Sequence, residues 1–340
     1  MRRRKVLGLL AAAPVARSAL IGPARAQGDD WNKVVDAAKK EGKVSVYTAT
    51  VGSPFHKKVF DAFESKYGIK VERLEARASE IRERVRVEQS AGRFLGDIHH
   101  NGSTTTWLMT RDGNFQPHGA IPNFKNIDPT YDPDDTKIPA EVISYCVLIN
   151  KNLVKANDEP KSWKDLLDPK WTGKILSDDY RALGGGAVFF PVMLKAFGRE
   201  FHEKLAQQKP VFSRDIQNSE RRCARGEFPI YIPFSLQDYN NLKGLPVKPV
   251  VPAEGRPYVR FDLAMLKNAP RPNAARVFMN FYLEPESQLV FGNAGYAPVV
   301  KGVVEKTLPE IRELLATKAM GTTDPPKQDE MLALAKEIYK

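Results

Sequence analysis

Polar residues that could grip a small molecule recur at one kind of place in this chain: after an alternating apolar stretch and before a helical one. Thr48, Thr50 and Ser53 lie there, as do Arg77 and Ser79, and then Asn101, Ser103 and Thr104. A helix N-terminus leaves N–H groups unpaired and carries partial positive charge, so hydroxyls, amides and an arginine in such loops suit a carboxylate or phosphate. Ser177, Tyr180, Arg181, Gly184, Gly185 and Gly186 form a similar group further on. Arg181 offers a forked, charge-assisted pair of hydrogen bonds, and the glycines would let backbone donors come close. Each residue also has a plainer use: Ser53 as a helix cap, Arg181 as a solvated loop charge, the glycines as a turn. Tyr47, Tyr145, Tyr180 and Tyr239 either wall a ligand ring or pack in a core.

Metal and covalent chemistry find less support. His99 and His100 are neighbours on a strand, so their rings point to opposite faces and do not readily grip one ion. One ring packed and the other solvated is the expectation. Cys146 and Cys223 are the only cysteines; a single disulfide is open, and so is a free Cys146 acting as a small buried hydrophobe in an apolar strand. Gly-x-Ser-x-Gly, His-Glu-x-x-His, paired Cys-x-x-Cys and P-loop strings are absent, and no arrangement names a nucleophile with its base. The expectation is a binder without catalysis and without a cofactor. The lack of an obvious acidic cluster in these loops weighs against a polyamine, and Asp178 and Asp179 are the exception that keeps a cationic ligand open.

Elements that alternate in type carry these loops. WNKVVDAAKKEG places Trp31, Val34, Val35 and Ala38 at helical spacing before Gly42. KVSVYTAT alternates as a strand, with Val44, Val46 and Thr48 on one face. SPFHKKVFDAFESKYG is a helix with Ser53 as cap, Pro54 at its first position and Phe55, Val59 and Phe63 on one stripe. IKVERLEA, SEIRERVRVEQSAG and GDIHHNG continue as strand, helix and strand, the alternation of a mostly parallel sheet covered by helices. After a loop at 117–139, EVISYCVLIN is long enough to join two lobes. A fresh α/β pattern follows it and ends in the amphipathic helix PKQDEMLALAKEIYK.

Charge is uneven. Of the formal +11, residues 1–26 supply Arg2, Arg3, Arg4, Lys5, Arg17 and Arg25 and no acid. The remainder has 46 basic and 41 acidic residues, a net +5, which favours anionic ligands by steering but does not argue for nucleic acid. RRRK, the short apolar VLGLLAAAPVA and an A-x-A site at Ala24 and Ala26 read as a signal peptide cleaved after Ala26. RRKVLG is similar to a twin-arginine signal, with Sec export the other route. The expected location is the periplasm.

WKDLLDPKWTGKI (163–175), ARGEFPI (224–230), PAEG (252–255) and PNAARVFMNFYLEPESQLVFGNAGYAPV (272–299) together resemble, in order and spacing, the extracellular solute-binding proteins of the ferric-ion-transport type. The resemblance implies a two-lobed class II periplasmic binding fold: α/β lobes, each a mostly parallel sheet flanked by helices, joined by hinge strands. It implies one lobe of 27–143 plus 249–293, another of 148–245 plus 297–340, and crossings near 144–148, 246–250 and 293–297. It also implies a ligand in the interlobe cleft, hinge closure, and delivery to the permease and ATPase of an ABC importer, with a monomer expected. The family's founding iron ligands, a His, a Glu and two adjacent Tyr, would fall at Val51, Gly102, Leu236 and Gln237, so bare ferric iron is not expected. A small organic anion is expected instead; a ferric chelate and a sensory role stay open.

Overall fold

Val44, Val46 and Thr48 are fully buried on β1 (Lys43–Thr48), and the helices on either side of it are amphipathic. The computed structural model describes residues 31–340; the expected signal peptide lies outside the described residues. The first half runs α1 (Trp31–Glu41), β1, α2 (Pro54–Tyr67), β2 (Lys70–Glu75), α3 (Ala78–Ser90), β3 (Ile98–Gly102) and α4 (Ser103–Arg111). Ser53 caps α2 by accepting from the His56 N–H, and Gly68 closes it with φ of 70°. The buried stripe of α2 is His56, Val59, Phe60 and Phe63. Phe55 was expected on it but sits half-buried against Tyr296.

β4 (Lys137–Asn150) begins four residues before the expected strand and serves both halves. Its residues up to Ser144 pair with β9 (Arg256–Met265). From Tyr145 onward it pairs with β7 (Ile230–Ser235) and β8 (Val247–Val250). The second half adds β5 (Ile175–Asp178), α5 (Gly186–Phe197), α6 (Arg199–Gln207), β6 (Val211–Ser213) and α7 (Ile216–Ala224). α8 (Pro272–Tyr282) and α9 (Pro285–Asn293) follow β9. The strand order is β2-β1-β3-β9-β4-β7-β5-β6. β1 runs parallel to β2 and β3, and β5 parallel to β6 and β7, while β9 is antiparallel to β3 and β4. The alternation read from sequence is therefore correct, with antiparallel strands where the chain changes lobe.

Packing divides at the same point. One core holds Val46, Phe60, Phe63, Phe278, Tyr282 and β4 as far as Tyr145. Two adjoining clusters hold the rest of β4, around Trp163, Phe189 and Phe190 and around Cys146, Cys223 and Phe234. Burying an aromatic or aliphatic side chain of this size stabilises by roughly 1.5–3 kcal/mol, so each half has its own source of stability. Val299, Val300 and Val303 bury in the first core, downstream of the crossing expected near 293–297. Gly255 in PAEG has φ of +109° and stands where a Cβ would be 2.2 Å from the Lys318 carbonyl oxygen; its own carbonyl accepts from the Trp163 indole at 3.0 Å. The motif thus locks a turn between the two halves. Cys146 and Cys223 are both free and buried. Among the described residues no helix is long and apolar enough to cross a membrane.

Candidate functional site: a dipolar interlobe cleft

A cavity of about 470 Å³ opens between the cores, within the range that suits small organic ligands. Its lining comes from the C-terminal ends of strands, where α/β sheets present their loops. The β1–α2 loop brings Thr50 and Ser53, the β2–α3 junction Arg77, and the β3–α4 junction Asn101, Thr104 and Thr105. β4 contributes Tyr145 at its crossing point. From the second half come Gly184 and Gly185, then Arg214, Asp215, Gln217 and Glu220 around the start of α7, then Ser235, Gln237 and Asp238. Tyr296 and Phe261 complete the apolar walls. Three contacts span the cleft: Arg77 Nη2 to Asp178 Oδ1 at 3.8 Å, the Thr104 and Thr323 hydroxyls at 2.5 Å, and Gln217 Nε2 to the Val51 carbonyl at 3.5 Å.

Of the expected ligand-binding residues, Thr50, Ser53, Arg77, Asn101, Tyr145 and Gly185 line this cavity. The others lie elsewhere. Thr48 is fully buried behind Thr50, its hydroxyl 2.7 Å from that of Thr50 and 2.9 Å from His100 Nδ1. Ser79 and Ser103 sit in the first turns of α3 and α4, outside the lining. Ser177 is fully buried and donates to the Asp178 carbonyl at 3.0 Å. Tyr180 is fully buried, stacked on Phe189 at 5.3 Å, inside the second core. Tyr239 packs beside Phe234 and Leu242. Arg181 turns away from the cavity: Asp179 accepts from its Nε at 2.8 Å, the Tyr339 carbonyl from its Nη1 at 3.0 Å, and its guanidinium covers the Phe212 ring. The anion seat expected around the glycines is also taken, because Gly186 N–H donates at 2.9 Å to Asp178 Oδ2.

The family model described as bacterial extracellular solute-binding protein matches residues 108–318. The chain belongs to that family. Its fold is similar to a substrate-binding protein of an ABC transporter from Agrobacterium tumefaciens, with a TM-score of 0.77 at 14% identity over 88% of this chain and 94% of that one. It is similar to a ferric binding protein from Campylobacter jejuni, with a TM-score of 0.71 at 19% identity over 87% and 98%. Iron-bound HitA from Pseudomonas aeruginosa gives 0.71 at 18% identity over 87% and 99%. At these identities the likeness establishes the two-lobed periplasmic binding fold. In sequence, the chain is 30% identical over 135 residues to an uncharacterized protein of Haemophilus influenzae, a stretch spanning 38% of this chain and 39% of that protein.

The polar groups of this solute-binding protein separate by kind across the cleft. On the first-lobe wall Asn101, 1% exposed, fixes its amide by accepting the Gly102 N–H at 2.8 Å, which leaves Nδ2 a buried donor without a partner. Arg77 and the α4 N-terminus, which has no side-chain cap, lie beside it. On the second-lobe wall Glu220 and Gln237 each have a buried Oε1 without a partner. Glu220 and Asp238 are neighbouring acids, and each acts electrostatically on the other. Burial first, and for Glu220 the neighbouring Asp238 carboxylate second, push both well above the usual carboxylate range. Burial also raises the Asp178 carboxyl, against the pull of Gly186 N–H and Arg77. Sequence reading missed Glu220 and Asp238. The signal was there for Glu220, which shares the inward face of α7 with Cys223 and Ala224 at helical spacing.

Behind the Ser53 loop lies a second polar cluster outside the cleft lining. His56 Nε2 and His100 Nε2 both meet Glu141 Oε1, at 3.1 and 2.9 Å, and Tyr282 donates to Glu141 Oε2 at 2.9 Å. Ser53 and Thr48 hydroxyls meet the two Nδ1 atoms at 2.7 and 2.9 Å. The ligand atoms of His56, His100 and Glu141 lie within 4.8 Å of one another, a spacing open to a metal ion. Yet each of these atoms already has a protein partner, and an ion would have to displace both Nε2 protons. The opposite facing of His99 and His100 holds, but the expected solvation of one does not: both are fully buried. β9 covers β3 on its open edge, and Phe115 packs on the His99 ring.

Proposed function

We propose that this protein is the exported, solute-capturing subunit of an ABC importer, and that it binds a small organic molecule bearing a carboxylate or phosphate. Residues 1–26 would direct export and be cleaved off, the chain would act as a monomer in the periplasm, and the permease and ATPase would receive the cargo without any reaction. The lobes would be 27–143 plus 249–303 and 148–245 plus the C-terminal segment, the last crossing falling after Val303 instead of near 293–297. The observation that carries this reading is the interlobe cavity with buried hydrogen-bonding atoms left unpaired on both walls. An unpaired buried polar group is costly in a folded protein, so a ligand that pairs such atoms on both walls favours the closed form over the open one.

The anionic group would meet Asn101 Nδ2, Arg77 and the α4 N-terminus. Arg77→Ala is then expected to weaken binding by about 1.5–3 kcal/mol, the scale of a charge-assisted hydrogen bond. The test is a thermal-shift screen of carboxylates, phosphorylated compounds and ferric citrate on the mature protein, followed by calorimetry and X-ray scattering on each hit. Binding of one molecule per chain with compaction supports the reading. A hit that binds without compaction, or with the same affinity in Arg77→Ala, removes this cleft or this residue from it.

A further inference from the structure

The second-lobe wall collects acceptors that have nothing to accept from. Glu220 is 3% exposed and Gln237 is 4% exposed, and the Oε1 of each is buried without a partner. The Gln237 amide is oriented by its Nε2, which points to Asp238 Oδ2 at 3.5 Å, so its oxygen is the free end. Asp238 and Glu220 both lie on the cavity lining, near enough for each carboxyl to act on the other. Two carboxyl groups can approach in this way only by sharing a proton. The rings of Tyr145 and Tyr296 line the same cavity, and aromatic faces attract an organic cation.

We propose that the cleft takes a solute carrying a protonated amine, which docks on Glu220, Asp238 and the Gln237 carbonyl and displaces the proton that the two carboxyls share. This rests on the reading of the cleft as a solute site and narrows its ligand class. With donors on the first-lobe wall and acceptors on the second, the cargo is a zwitterion of the amino-acid kind, bound with its anionic end towards Asn101 and Arg77. The charges balance: the ammonium keeps its three hydrogens, the shared proton leaves to solvent, and the pair becomes a dianion facing the cation. The groups around the pair would not replace that cation. Arg221 on α7 is the cation whose charge acts on Glu220. Asp178 on β5 is acidic, Ser235 on β7 is a neutral hydroxyl, and Tyr145, Tyr231 and Tyr296 are phenols held neutral by burial. Arg214 and Asp215 at the start of α7 also line the cavity and offset each other in charge.

The test uses matched pairs on the mature protein: glycine with acetate, β-alanine with propionate, 4-aminobutyrate with butyrate, and 6-aminohexanoate with hexanoate. At least one amino acid should raise Tm while its amine-free partner does not. Calorimetry of that compound at pH 7 in phosphate and in Tris should differ by the release of about one proton per molecule bound. Glu220→Gln, which keeps the shape, should abolish the buffer dependence and weaken binding by about tenfold or more; Asp238→Asn provides the second variant. Equal stabilisation by both members of a pair, binding without proton release, or no stabilisation by any amino acid overturns the inference. Stabilisation by amine-free acids or by ferric citrate alone overturns it too, yet leaves the cleft standing as a solute site. Failure of the cleft itself would appear separately, as a hit of any class that binds without compaction.

Discussion

Glu141→Leu is expected to cost about 5 kcal/mol of unfolding free energy, because it orphans three buried donors at about 1–3 kcal/mol each. The donors are His56 Nε2–H, His100 Nε2–H and the Tyr282 hydroxyl, on α2, β3 and α8, all converging on a carboxylate of β4. Burial alone would push the Glu141 carboxyl up, but the charge and hydrogen bond of His100 and the hydrogen bond of His56 outweigh it and hold it down at about 2. Leucine would fill the space and offer no acceptor, and none of the three donors can reach water. Glu141→Gln keeps the oxygen that takes both imidazoles and is expected to lose less than half as much. The combined change His56→Phe, His100→Phe, Glu141→Leu and Tyr282→Phe should recover most of the loss, since exchanging a whole buried polar cluster for apolar side chains is often neutral. Urea unfolding at pH 7 checks all three; a loss under about 1 kcal/mol for Glu141→Leu would show that the cluster carries no stability.

The order of elements could be read from the sequence because each helix and strand of the first half buries a face whose period is local. Val44, Val46 and Thr48 alternate on β1, and the spacing of Val59 and Phe63 marks α2. Positions at strand ends read equally well in that half, where Thr50, Ser53 and Arg77 follow their strands, Asn101 ends its own, and all four reach the cavity. The second-lobe residues failed for a reason local pattern cannot contain. Arg181 and Tyr180 follow β5 much as Ser53 follows β1, but the distant Tyr339 and the β6 residue Phe212 close over them. Those partners are 158 and 31 positions away in the chain. His56 was passed over because the stripe was drawn one residue early, through Phe55, and its acceptor Glu141 lies 85 residues on. Glu220 and Asp238 come together only when α7 packs against the turn after β7. That convergence changed the electrostatic reading of the cleft from a seat for an anion to one with opposite poles.

Histidines that hold no part of the site should still set how the protein responds to acid. His99 is fully buried, its Nδ1 has no partner, and burial first and the His100 charge second hold it down at about 3 against an ordinary 6.5. Below pH 6.5 the unfolded chain takes up a proton that the folded chain refuses, so stability falls with pH through the window from about 6.5 down to about 3. By pH 4 the loss from this one ring is about 3 kcal/mol. His202, held down at about 4 by burial, adds a loss of the same sign. Its two ring nitrogens, however, meet Tyr339 Oη and the Phe190 carbonyl, so replacing it would also break hydrogen bonds. His99 is the cleaner test, since its one hydrogen bond is to Thr106 at 3.2 Å, and that hydroxyl keeps the Gly102 carbonyl as its own acceptor. The pH profile of the wild type alone would mislead. Asp262, pushed up to about 6 by burial, and the Glu220–Asp238 pair bind protons more tightly when folded, so they gain stability as the pH falls. The comparison must therefore be between wild type and His99→Phe, unfolded in urea at pH 7, 5.5 and 4. The stability difference should move by about 3 kcal/mol in favour of the phenylalanine variant from pH 7 to pH 4. Parallel profiles would mean that water or a counter-charge reaches His99 and that the ring is not held neutral by burial.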